Sequence, residues 1–359
     1  METDPLASPN LDATYAFTRT TSTRVVVGRG VEGRIAELVG ALDPDGVVVI
    51  HDRNVTPLGE RIAAAVGARL RLPVVGGEDL KRLQMVGHLS QALSDGGATR
   101  RTVLVGVGGG TVTDVVGLVA SLHLRGLPLV LCPTTTLGMG DAALGGKSGV
   151  DHAGLKNVIG TFRQPDAVLA DVDWLATLLD VHYGEGLAEY VKQAAVLDAA
   201  GFERLEELAD GLRARDPEAV TEAVTLAVRT KMEVVVADEV EGDRRRWLNF
   251  GHTIGHALES AAGMSLRHGR AVAMGMLAEC RAASDRTPGD VSERIDALLG
   301  RLGLATAIPS HLCDVDRLWN LAQQDKKATS SSVPMVVPSR IGAGVLVELT
   351  RERLERALA

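Results

Sequence analysis

Lysine is nearly absent from this 359-residue chain. Of its 38 basic side chains only seven are lysine: Lys81, Lys147, Lys156, Lys192, Lys231, Lys326 and Lys327. A chain that defaults to arginine keeps lysine where a planar guanidinium fails, because the ammonium is a compact, tunable point charge with three rotatable donors. Aromatic residues make up only 3%, too few for base-stacking platforms. The net charge of −8 argues against non-specific nucleic-acid binding, so no nucleic-acid partner is expected. Cys132, Cys280 and Cys313 are far apart. They form neither a disulfide framework nor a CxxC metal knuckle, and they suit a reducing cytoplasm. No apolar run reaches the roughly 18 residues that a membrane span needs. The opening METDPLASPNLDAT lacks a basic start and an apolar core, so residues 1–14 read as a polar tail rather than a signal peptide.

What is present is a core large enough for two domains, with 45% hydrophobic and 23% charged residues. In the first half, short β-branched runs alternate with helical spacing. TRVVVGRG, GVVVIHD, RLPVVGGED, TVLVGV and LPLVLCPTTT read as strands. EGRIAELVGAL, PLGERIAAAVGARL, LKRLQMVGHLSQALSDGG and GGGTVTDVVGLVASLHLRG read as the helices between them. This alternation predicts an α/β fold with a mainly parallel sheet. After about residue 172 the pattern becomes helical, over 184–200, 202–213, 216–237, 249–263, 268–285 and 290–303. Two strand-like runs, VPMVVP and GAGVLVEL, come near the end. The expected organisation is a tail (1–14), a parallel-sheet domain (15–175) and a mainly helical domain (176–359), closely packed with a cleft between them. The serines at 330–332 read as a mobile loop.

Three segments carry candidate chemistry. VGVGGGTVTD (105–114) passes from strand to glycines to helix start. Gly108, Gly109 and Gly110 admit close approach of a ligand, and the helix N-terminus favours a pyrophosphate. Asp52, at an earlier strand end, is placed to accept from a ribose. DAALGGKSGVDHAGLKN (141–157) sets Asp141, Lys147, Lys156 and Asn157 among four glycines and reads as an anion-binding loop that Arg125 could join. LNFGHTIGHALE (248–259) places His252 and His256 at i, i+4 without the glutamate of a metalloprotease motif. With His268 and Glu189 they could make an open zinc site.

In their order and spacing, GGGTVTD, LRG, PTTTLGMGDAALGGKSGVDHAGLKN, GTFRQP, GLAEYVK, LNFGHTIGHALE, HGRAVAMGM and DKK resemble the 3-dehydroquinate synthases of the sugar phosphate cyclase superfamily, from about residue 46 to 345. The resemblance implies a Rossmann-like NAD-binding domain followed by a mainly helical metal-binding domain, and a cytoplasmic homodimer acting on a small sugar phosphate. It implies Glu189, His252 and His268 as ligands of Zn2+ or Co2+, which moves His256 from metal to substrate. It implies NAD held by Asp52, Asn54, Glu78, Lys81, Gly109, Gly110, Asp114, Thr134 and Thr135. It implies a substrate pocket of Arg125, Asp141, Lys147, Lys156, Asn157, Lys192, Lys231, Arg245, Asn249, His256 and one of Lys326 or Lys327. The implied reaction cyclises 3-deoxy-arabino-heptulosonate 7-phosphate. NAD oxidises C5, phosphate is eliminated, the hydride returns, the ring opens and an aldol closes the carbocycle. Asp151, GLKN, Arg270 and LLDVHYGEGLAE depart from the family's usual pattern and leave room for an amino-dehydroquinate, valiolone or inosose synthase. Two other readings are a metal-dependent alcohol dehydrogenase and a nucleotide-binding regulatory protein that keeps only the dinucleotide site.

Overall fold

The computed structural model describes residues 20–153, 155–323 and 332–358. The tail, Lys326, Lys327 and most of the expected serine loop lie outside the described residues.

Six parallel strands form the first half: β1 (Arg24–Gly28), β2 (Gly46–Asp52), β3 (Leu70–Val74), β4 (Thr102–Gly108), β5 (Leu129–Pro133) and β8 (Ala167–Asp171). Their order is β1-β8-β5-β4-β2-β3. Strands β4, β5 and β8 are buried along their whole length, as expected where helices cover both faces of a parallel sheet. The covering helices are α1 (Ile35–Gly40), α2 (Thr56–Ala65), α3 (Leu83–Asp95) and α4 (Gly110–Leu122). The chain runs from β2 outward to β3, then crosses back to β4 on the other side of β2. The carboxyl ends of β2 and β4 therefore flank a topological switch point, the usual ligand crevice of such sheets.

The segment expected as a loop is structured, which corrects that expectation. Gly138–Ala142 forms one wide helical turn. Gly145 and Gly146, at φ 82° and 69°, then turn the chain into an antiparallel hairpin, β6 (Lys147–His152) and β7 (Leu155–Phe162). Val150, Ile159 and Thr161 supply the strand-forming residues that glycine counting overlooked. A Cβ at Gly117 of α4 would lie 2.1 Å from Ser148 Oγ, so this glycine lets β6 lie directly on α4. The hairpin is thereby docked on the helix that starts at the glycine turn.

The helical half comprises α5 (Asp180–Leu197), α6 (Ala199–Arg213), α7 (Pro217–Ala237), α8 (His252–Ala262), α9 (His268–Ala282), α10 (Gly289–Arg301), α11 (Val315–Ala322) and α12 (Arg351–Leu358). Strands β9 (Val333–Arg340) and β10 (Ala343–Leu349) form an antiparallel pair. β8, α11 and α12 were not read from the sequence. No helix among the described residues is long and apolar enough to cross a membrane, and all three cysteines are free thiols.

Candidate active site

The Glu189 carboxylate is completely buried on α5. His252 Nε2 lies 3.5 Å and His268 Nε2 3.2 Å from its Oε1, and Lys192 Nζ pairs with Oε2. Neither oxygen has a hydrogen bond of proper geometry, although such a group is costly to bury without one. Burial works against the charged form, but Lys192, His252 and His268 hold the carboxyl well below its usual range. The Nδ1 atoms are already engaged, His252 with Phe250 O at 3.1 Å and His268 with Glu259 Oε2 at 3.2 Å. Both rings thus turn Nε2 toward the same carboxylate oxygen. Two imidazoles and a carboxylate with under-satisfied oxygens form a donor set suited to a borderline divalent ion. His256 is within reach of the same cluster, with its ring centroid 5.0 Å from His252 and 5.7 Å from His268.

The helix packing that makes this cluster rests on small residues and one acid. A Cβ at Gly275 of α9 would lie 2.0 Å from Gly251 O, so α8 and α9 meet backbone to backbone. A Cβ at Gly269 would lie 2.4 Å from the Glu185 backbone, which brings the start of α9 onto α5 one turn from Glu189. Glu279 of α9, fully buried, accepts from Gly251 N at 2.6 Å and Ile254 N at 2.9 Å. It thus caps the first turn of the helix that carries His252 and His256. Burial pushes its carboxyl up to about 8, against those backbone donors. The sequence reading missed Glu279.

Cations and acids surround the cluster. Lys231 Nζ bonds Asp141 O at 2.5 Å and Asp141 Oδ1 at 2.8 Å, and Gln193 Nε2 reaches the same Oδ1 at 3.3 Å. Burial, helped by Lys192 and Arg245, lowers the Lys231 pKa despite Asp141. Burial also opposes the Lys192 ammonium, yet Glu189 and Asp141 raise its pKa. Lys147 pairs with Glu241 Oε2 at 2.5 Å, and Asn249 Nδ2 donates to the other Glu241 oxygen at 2.8 Å. Arg245, 2% exposed, donates to Gly145 O at 2.8 Å and Glu239 O at 2.5 Å. Lys156 pairs with Glu259 Oε1 at 2.7 Å. Asn157, at φ 51°, is held by its N–H to Asp151 Oδ1 at 2.8 Å. Glu241 also has a left-handed backbone, φ 62°, in a loop tied down by Asp238, which accepts from Gly242, Asp243 and Arg245 N–H groups. Such strain is tolerated where surrounding bonds over-determine the loop. Glu241, Glu259, Gln193 and Asp238 were all missed. Their signal was weak, because Glu241 and Asp238 look like solvated acids, while Gln193 and Glu259 sit beside more conspicuous lysine and histidine neighbours.

The glycine turn lies at the switch point. A Cβ at Gly109 would lie 3.1 Å from Thr135 Cγ2, and one at Gly110 3.1 Å from Ala142 Cβ. The backbone is thus a narrow cradle that side chains would fill, opening α4 at its N-terminus. Thr134 N donates to Gly108 O at 2.9 Å. Thr135 Oγ1 accepts from Gly138 N at 3.0 Å. Asp52 caps the turn after β2 through Asn54 N at 2.9 Å. A Cβ at Gly76 would lie 2.1 Å from Asp52 Oδ2. Lys81 and Asp114, both expected to touch the cofactor, pair with each other at 2.6 Å, with Glu78 adding its field to Asp114. Arg125 stands apart. It is exposed, follows Leu124 in the left-handed region (φ 66° and 49°), and is not joined to the other site groups by any ion pair or side-chain hydrogen bond among the described residues.

A parallel sheet with a glycine cradle at its switch point is thus joined to a helical layer bearing a buried Glu–His cluster with lysines around it. A 2-deoxy-scyllo-inosose synthase complexed with carbaglucose-6-phosphate, NAD+ and Co2+ superposes with TM-score 0.86 at 26% identity, covering 95% of this chain and 96% of that one. A 2-epi-5-epi-valiolone synthase from Streptomyces hygroscopicus subsp. jinggangensis 5008 with NAD+ and Zn2+ gives 0.86 at 30%, covering 96% and 98%. Residues 71–185 match the 3-dehydroquinate synthase N-terminal family model, and residues 186–328 match the C-terminal one. The 3-dehydroquinate synthase of Sulfurisphaera tokodaii is 35% identical over 92% of this chain and 94% of its own length. The chain belongs to the 3-dehydroquinate synthase family.

Within this site the two bridging lysines make a direct prediction. Lys147→Arg and Lys156→Arg keep the charge but replace a point ammonium by a planar fork that cannot occupy the same place against Glu241 or Glu259. Each is expected to lower kcat/KM for cyclisation at least about tenfold, or about 1.4 kcal/mol. Near-wild-type kinetics in both variants would mean that lysine is retained there for no chemical reason.

Proposed function

We propose that this enzyme converts 3-deoxy-arabino-heptulosonate 7-phosphate to 3-dehydroquinate with release of phosphate, in the shikimate route to aromatic amino acids. The observation that carries this reading is the buried Glu189 set within a cage of Lys147, Lys156, Lys192, Lys231 and Arg245, a charge pattern suited to a substrate with both a carboxylate and a phosphate. The site lies between residues 15–175 and 176–359, taken as two domains. Glu189, His252 and His268 would hold the divalent ion, zinc or cobalt. Asp52, Asn54, Glu78, Lys81, Gly109, Gly110, Asp114, Thr134 and Thr135 would hold NAD. When bound, these groups supply a polarised C5 hydroxyl and a store for its hydride.

The chain's own residues do the rest. The lysines and Arg245 orient the two anionic ends and oppose their charge. Asp141, clamped by Lys231 and Gln193, fixes the turn between cradle and cluster. His256, the most exposed of the three histidines, meets the substrate in this reading. In this reading the substrate's own phosphate takes the C6 proton, in keeping with the pairing of Glu189, Asp141 and Glu241 with cations. Arg125, Asn157, Asn249 and one of Lys326 or Lys327 complete the pocket in this reading.

A specialised cyclase, of the amino-dehydroquinate, valiolone or inosose type, is the second reading. It is favoured by the likeness to the inosose and valiolone synthases and by Asp151 at its hydrogen-bonding position beside Asn157. The test offers the heptulosonate phosphate and a heptulose phosphate lacking the carboxylate in parallel, with products identified by mass spectrometry. Losing the contacts between the carboxylate and these cations should disfavour the second substrate by roughly a hundredfold or more in kcat/KM. The reverse preference would make this a neutral-sugar cyclase.

A further inference from the structure

Glu259 bonds Lys156 and His268 and so touches both halves of the site, yet the reading above gives it no part in the reaction. It projects from α8 seven residues after His252, with its side chain only 11% exposed. Its Oε1 takes Lys156 Nζ at 2.7 Å from the hairpin, and its Oε2 takes His268 Nδ1 at 3.2 Å. The opposite ring nitrogen of His268 lies 3.2 Å from Glu189.

We propose that Glu259 is a positioning residue whose carboxylate fixes the tautomer and direction of His268, and that its bond to Lys156 is an exchangeable contact released to an anionic substrate. This rests on the reading that Glu189, His252 and His268 hold a divalent ion. A carboxylate that accepts from Nδ1–H leaves Nε2 as the lone-pair nitrogen and makes it a stronger donor to a metal. His252 obtains the same service from the Phe250 carbonyl at 3.1 Å, which belongs to the backbone and cannot leave. His268 depends on a side chain. The Lys156 end of the bridge is different in kind. Its side chain is 50% exposed, against 11% at the Glu259 end, so the ammonium can turn toward water or another anion at less cost than in a fully buried pair. Arrival of a substrate anion can therefore take Lys156, leaving Glu259 on His268 alone. The two oxygens divide the work, one held by the metal cluster and one lent to the pocket.

The test is the zinc affinity of the full-length chain, measured by competition with a chromophoric chelator in the absence of substrate. Glu259→Ala is expected to weaken zinc binding roughly 10- to 100-fold. Glu259→Gln, which keeps a carbonyl oxygen for Nδ1–H, should recover part of that loss. Lys156→Ala should bind zinc as the wild type does. Without metal, the melting temperatures of all three should match the wild type, whereas a merely structural role would lower them. If Glu259→Ala does not fold, Glu259→Asp serves in its place. Its carboxylate falls one methylene short of Nδ1, and a loss of about tenfold is expected. Wild-type zinc affinity in the Ala or Asp variant overturns the proposal, as does an equal loss in Lys156→Ala, which would assign the effect to the whole bridge. A wild-type chain that binds no zinc would instead sink the metal-site reading itself, and that outcome is separately visible because substrate plays no part in the assay.

Discussion

His268→Ala is expected to lose most of its divalent ion, whereas His256→Ala keeps the ion and loses turnover. The two histidines look alike in sequence, and spacing alone would favour His256, which stands one helical turn from His252. Geometry separates them. His252 and His268 each have Nδ1 engaged, by Phe250 O and Glu259, and each aims Nε2 at Glu189 Oε1. Among the described residues no hydrogen bond fixes the His256 ring, and it is the most exposed of the three. Losing one of three protein ligands should weaken metal binding by at least about a hundredfold, more than the loss of a supporting partner does. In His256→Ala the loss should fall on kcat or KM with the metal content unchanged. Metal analysis of the purified variants beside steady-state kinetics decides it. Equal metal content in the two variants would contradict the ligand assignment.

Much of the fold was legible because it follows simple periods. Fully buried β4 and the glycine turn into α4 read directly, since a short apolar run, glycines and a helical pattern occur in that order only in a few structural contexts. β8 was overlooked because AVLAD is five residues long and lies between a proline and an acidic turn. The hairpin at 147–162 was hidden by its glycines, which suggested a loop. Gly145 and Gly146 are needed for the turn into β6, and Gly160 for the close approach of β7 to Ser148 of β6.

The site was legible where residue types are rare. Four of the seven lysines, Lys147, Lys156, Lys192 and Lys231, come together around Glu189 and Asp141, and Lys81 pairs with Asp114 at the cofactor side. Their acid partners were not legible. Glu241, Glu259 and Glu279 belong to a common residue type, and their importance arises only when helices fold against each other. Glu279 lies 27 residues from His252 in number, yet it caps the turn that begins there. No local pattern could have indicated that contact.

In the proposed reaction this site uses redox chemistry transiently, so that NAD begins and ends each turnover oxidised. A glycine cradle beside the lysine cage would suit a cofactor that must not leave midway, because the intermediate enone is reactive. The most direct measurement follows phosphate and NADH together while the enzyme, loaded with metal and NAD, acts on 3-deoxy-arabino-heptulosonate 7-phosphate. The account predicts one phosphate released per carbocycle formed and no NADH absorbance beyond the enzyme concentration. Steady NADH accumulation in proportion to turnover, with no phosphate released, would contradict it and make this chain a metal-dependent dehydrogenase.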